Sequence, residues 1–180
     1  MSENIQFCTQ IDGSPHAHRG AANRADLWKP GSTLRVRFIG GTQYMRKKIQ
    51  AIAEEWMLYA NIRFAFGVLG TAEVRCAFER TGGCWSYVVT TALAAPKRQP
   101  TMNLGWLSDL SSDTEYRRVV LHEFGHVLGL VHEHSSPAAK IPWNEDAVLS
   151  FYKRTQGWSA EKTRQNVLEP ESVTDYTKFD

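Results

Sequence analysis

From Thr33 to Phe38 apolar and polar residues alternate, with Leu34, Val36 and Phe38 on one side and Arg35 and Arg37 on the other, the period of a half-buried strand. Gly40-Gly41 ends it. From Tyr44 to Ala60 the interval lengthens: Ile49, Ile52, Ala53, Trp56 and Ala60 recur at helical spacing, and Asn61 is placed to close that helix in a left-handed conformation. Ile62, Phe64 and Phe66, then Val74, Cys76 and Phe78, return to the strand period on either side of a turn at 67–71. Trp85 to Val89, after Gly82-Gly83, and Thr101 to Trp106, before the break at Ser108 to Asp113, add two more runs, so about five strands are expected. Ser112 followed by Glu115 has the form of a capping box, and Tyr116, Val119, Val120, Phe124, Val127 and Leu128 then fill the buried face of a second long helix that Gly129 stops. A shorter helix is expected from Glu145 to Lys153, capped by Asn144.

Length and composition narrow the picture. With 180 residues, 42% of them hydrophobic and 22% charged, the chain has the make-up of one globular domain with its own core. Residues 1–27 mix Gly, Pro, Ser, Asn and charge without periodicity and are read as an N-terminal extension; residues 28–180 are read as the domain. Twenty-one basic against 19 acidic residues, nowhere concentrated, argue against nucleic acid as a partner. The amino terminus has no basic cap followed by an apolar run, and no apolar stretch is long enough to cross a bilayer, so neither an export signal nor a membrane span is expected. Cys8, Cys76 and Cys84 are too few and odd in number for a disulfide framework, which leaves the compartment open.

The chemistry concentrates in His122-Glu123-Phe124-Gly125-His126-Val127-Leu128-Gly129-Leu130-Val131-His132. His122 and His126 stand one helical turn apart on one face, so both imidazoles can reach one ion. A continuous helix would carry His132 about 15 Å along the axis, too far for nitrogens that must lie about 2.0 to 2.1 Å from zinc. The chain must therefore turn back, and Gly129 supplies a residue that tolerates positive φ. Three neutral imidazoles leave a tetrahedral zinc ion one open position for water, the mark of a catalytic centre. Glu123, next to a ligand, is placed to act as general base on that water rather than as a ligand itself. For one histidine an ordinary surface or core role is the better reading; for three histidines, a glutamate and a helix-ending glycine that fit one geometry, it is not.

H-E-x-x-H-x-x-G-x-x-H is the metzincin pattern, and further residues resemble its astacin-like branch: Gly83-Cys84-Trp85-Ser86-Tyr87-Val88, and His132-Glu133-His134 at the third ligand. The resemblance implies an α+β, zincin-like fold with a twisted mixed sheet of about five strands, two long helices and a smaller C-terminal subdomain. It implies one catalytic Zn2+, an extracellular setting and a peptide or protein substrate. It also implies that Cys84, Trp85, Ser86 and Tyr87 form the edge strand with which an extended substrate pairs, while a core role serves the two aromatic side chains equally well. Astacin-like domains carry disulfides, and Cys84 has no evident partner here. They also place a methionine turn beneath the metal, yet no methionine follows His132; Asp175 to Asp180 resembles the run into that turn. A non-catalytic zinc-binding domain with an incomplete lower part is therefore the alternative to an endopeptidase, and an adaptor without metal is the third reading. Glu133 is read as a solvated or hydrogen-bonded glutamate and His134 as an exposed histidine, with the orienting of a ligand as its alternative; Cys8, which could cap the zinc as a thiolate, and His16 and His18, which could bind metal weakly, are read as parts of the extension without such a role.

Overall fold

The computed structural model describes residues 8–11, 27–132, 134 and 139–169. His16, His18, Glu133 and Asp175 to Asp180 lie outside the described residues. Six strands, β1 (Cys8–Ile11), β2 (Thr33–Ile39), β3 (Arg63–Phe66), β4 (Val74–Ala77), β5 (Cys84–Tyr87) and β6 (Met102–Leu104), form one sheet in the order β1-β5-β6-β4-β2-β3. Only β5 and β6 run antiparallel; every other neighbouring pair is parallel. The five expected strands are all present, and the sixth comes from the N-terminal extension, in register Cys8 to Cys84 through Ile11 to Tyr87. The fold is thus α+β with a mixed sheet, and of the zincin type.

Helix α1 (Gln43–Ala53) starts where Thr42 accepts a hydrogen bond from the Met45 amide, and its buried stripe is Met45, Ile49 and Ala53. It tightens into a 3₁₀ turn, Glu54–Leu58, capped at Tyr59 in a right-handed conformation. Asn61 is not left-handed: among the described non-glycine residues only Val89 and Lys140 have positive φ. The tightened turn ends the helix early, and the Asn61 carbonyl instead accepts the Gly31 amide at 2.6 Å, tying the turn before β2 to the turn before β3.

Helix α2 (Asp113–Leu128) lies against β5, β6 and α1. Its Ser112 cap accepts from the Glu115 amide, but the return arm of the capping box is not made: the Glu115 carboxylate accepts from the Trp106 indole at 2.8 Å and from Arg118 at 2.7 Å. Tyr116, Val119, Val120, Phe124 and Val127 join Leu34, Val36, Ile49, Phe64, Cys76 and Leu104 in one core between helices and sheet. Phe64 meets Phe124 edge to face at 5.2 Å, and truncating either ring would cost about 3–5 kcal/mol. Two indoles fix the helix along its axis. Trp56 donates to the Leu121 carbonyl at 3.1 Å, and Trp28 donates at 2.7 Å to the carbonyl of Val127, one of the last four that the helix leaves without an internal partner.

All four residues of the central strand β4 are buried, Arg75 included. Its guanidinium donates to the carbonyls of Gln99, Ala72, Ala95 and Pro96, which folds the segment before β6 back over the sheet. Beyond the site come α3 (Glu145–Gln156), capped by Asn144 and ended by left-handed Gly157, then α4 (Ala160–Thr163), which runs into a π-helical turn, Arg164–Leu168. No helix among the described residues is long and apolar enough to cross a membrane.

Candidate metal centre

Gly129 builds the site. It sits at φ 107°, a conformation that a side chain resists, and ends α2 in a Schellman turn: the Leu130 amide reaches the Gly125 carbonyl at 2.9 Å and the Gly129 amide that of His126 at 3.0 Å. Gly125 keeps this corner tight, since a Cβ there would lie 3.3 Å from Leu130 Cδ1 and 3.5 Å from Trp56 Cζ2. The sequence pattern leaves that position open to any residue, and only the packing shows why glycine suits it. The reversal returns the chain over the last turn of the helix, and His132 arrives opposite His122.

His122 Nε2 lies 3.2 Å from His132 Nε2 and 3.2 Å from His126 Nε2. Ring nitrogens of the three lie within 4.8 Å of one another. A tetrahedral zinc ion with nitrogens at about 2.0 to 2.1 Å requires ligand pairs about 3.3 Å apart, so this cradle has the size of that ion. The orientation of His126 is set by a hydrogen bond from its Nδ1–H to the Leu130 carbonyl at 2.7 Å, which leaves the Nε2 lone pair aimed at the cradle. The Schellman turn therefore both stops the helix and supplies the carbonyl that orients this ring.

Electrostatics keep the imidazoles in the form a metal needs. Burial lowers the pKa of His126 to about 4, assisted by the neighbouring His122, while the bond to Leu130 works in the opposite sense. Burial, then the adjacent histidines, lowers that of His132 to about 2, and burial with the nearby Arg118 lowers that of His122. All three are neutral at physiological pH, as a divalent cation requires.

Glu123 stands on α2 between two of these histidines and is fully buried. It is near enough to Cys84 for its charge to help hold that thiol protonated, burial being the larger cause of a pKa raised to about 12. Cys84 is a free thiol, as is Cys76. Along β5 burial alternates: Cys84 and Ser86 point into the core, while Trp85 and Tyr87 are half-buried and meet edge to face at 6.2 Å. One expectation is corrected here. β5 is not the edge strand, because β1 occupies its outer side in parallel register. The segment 8–11 alternates too weakly, within a polar stretch, to be recognised as a strand without its partner. Nor is His134 the exposed histidine that its sequence context suggests: it is half-buried and stacks on His132.

A mixed sheet backed by a helix that carries two histidines and a glutamate, with a third histidine returned by a glycine turn, defines a metallopeptidase domain of the metzincin class. The family model of the astacin peptidases matches residues 21–141, and the chain belongs to that family. Two solved structures are similar throughout. "Structure of myroilysin" has a TM-score of 0.84 and 41% identity, over 89% of this chain and 80% of that one. "Crystal structure of myroilysin" has a TM-score of 0.73 and 36% identity, over 99% of this chain and 75% of that one. A search of curated proteins returns no match.

Proposed function

We propose that this chain is a zinc metalloendopeptidase in which His122, His126 and His132 hold the ion and Glu123 is the general base. The observation that carries this reading is the convergence of three neutral ring nitrogens beside the helix that bears Glu123, those of His126 and His132 each 3.2 Å from that of His122. Zinc bound there supplies Lewis acidity, making a water more acidic and drawing charge onto the carbonyl oxygen of the scissile bond. The protein residues do the rest. The Glu123 carboxylate takes a proton from the attacking water and delivers it to the departing amine, so that one peptide bond and one water become a carboxylate and an amine. Burial of Glu123 keeps bulk water from competing for that proton.

The peptide groups of Cys84, Trp85, Ser86 and Tyr87 are the pairing edge for an extended substrate, with Trp85 and Tyr87 offering side-chain contact. Pairing there requires β1 to leave, because the outer edge of a strand accommodates one neighbour.

Glu123→Ala tests the proposal. It should lower peptide cleavage by roughly 10²–10⁴-fold while the protein still takes up one zinc per chain. Cleavage at the wild-type rate would remove Glu123 from the mechanism, and a wild-type chain that takes up no zinc would overturn the whole reading.

A further inference from the structure

His122 and His126 are oriented by a helix, and His126 in addition by the Leu130 carbonyl. Among the described residues His132 has no such frame: it follows the Schellman turn on irregular backbone, where an imidazole has two free side-chain torsions. Something outside α2 must hold it. The ring of His134 lies against it, with centroids 5.1 Å apart and planes 25° from parallel. His134 is anchored in turn: its Nε2–H donates to the Asn166 carbonyl at 3.1 Å, and the Trp143 indole meets it edge-on at 6.3 Å. Asn166 lies in the π-helical turn, where its side-chain amide donates to the Lys162 carbonyl at 2.8 Å and the neighbouring Val167 and Thr163 are buried. The support is therefore built from packed backbone 32 residues further along the chain.

We propose that His134 is a positioning residue for the third metal ligand: stacked on His132 and fastened to Asn166, it transmits the placement of the C-terminal π-helical turn to the metal centre. The inference rests on the zinc reading above. Its content is separate, because the ligand set would be the same whether or not His134 mattered. Groups that orient a ligand without touching the ion change metal affinity by about 10–100-fold when removed. A residue that only fills space would change folding stability and leave the affinity and coordination geometry of the folded protein alone.

The experiment uses the full chain stripped of metal, titrated with zinc against a competing chromogenic chelator, and with cobalt(II) as a spectroscopic stand-in. His134→Ala should bind zinc roughly 10–100-fold more weakly than wild type and shift the visible cobalt bands. His134→Phe keeps a flat ring and gives up only the bond to Asn166, so it should fall between the two, about threefold to tenfold weaker than wild type. It also serves as the informative variant should alanine fail to fold. Affinity within twofold of wild type and unchanged cobalt bands in the folded variants would overturn the inference. A phenylalanine variant that matches wild type would by itself break the link to Asn166. If wild type takes up no stoichiometric zinc, the metallopeptidase reading fails instead, so the two failures are told apart.

Discussion

Replacing Gly129 with alanine places a methyl group on a backbone held at φ 107°. A left-handed conformation costs an L-residue about 1–2 kcal/mol, and φ here lies beyond the usual left-handed range, so the upper part of that interval applies. Relief is available only by rotating the turn. Rotation breaks the bonds from Leu130 and Gly129 to Gly125 and His126, and moves the Leu130 carbonyl away from His126 Nδ1. Denaturant unfolding of the metal-free variant should therefore show a loss of about 2 kcal/mol, which for a chain of this size is roughly 4–8 °C in Tm. Zinc affinity should fall at least tenfold in the same variant, because His126 loses its orienting partner and His132 its path to the site. Gly70→Ala is the control, since a methyl there meets nothing within 4 Å and the backbone is not left-handed. If Gly129→Ala unfolds within about 0.5 kcal/mol of wild type and binds zinc equally well, the turn does not build the site.

Gly105→Ala should destabilise the fold by about 2–3 kcal/mol, measured by urea unfolding, because its Cβ would lie 2.5 Å from the Gly83 carbonyl oxygen, 2.8 Å from Asn103 Nδ2 and against the Glu79 carbonyl. Metal-free protein should lose stability on acidification. The unfolded chain protonates His126 below about pH 6.5 while the folded chain resists to about 4, so this contribution is intact above pH 6.5 and drains away as pH falls to 4, by about 3 kcal/mol in all. A flat stability profile from pH 7 to pH 4 would count against a buried neutral imidazole. Removing residues 1–27 takes away β1, and kcat/KM for an unstructured peptide should rise roughly tenfold or more, since a tethered strand competes at millimolar effective concentration. An unchanged or lower rate with zinc content preserved would mean that β5 is not where substrate pairs.

The three-histidine cluster was legible because helical periodicity and the conformational freedom of one glycine jointly allow few placements for His122, His126 and His132. Strands β2 to β4 were legible from alternation, β5 and β6 from strand-forming runs set between chain breaks. What escaped was set by partners distant in sequence. β1 is recognisable only beside β5, and Arg75 sits in an apolar strand because three carbonyls from the segment folded over it, with that of Ala72 just before the strand, accept its protons. Asn61 and Glu115 carry correct local signals that tertiary contacts redirect, the first toward Gly31 and the second toward Trp106. His134 stands two residues after a ligand, which suggests support of the site without deciding it against a surface histidine, because its anchor lies at Asn166.

Trp28 and Trp56 grip α2 at Val127 and Leu121, the backbone positions just outside the segment from His122 to His126. The rack that carries two imidazoles is thus bolted to the scaffold at both ends by groups that take no part in coordination. Exchanging the side chains between the bolts would leave the mounting where it is, so this stretch of helix can accept altered donor sets for other metals without slipping out of register.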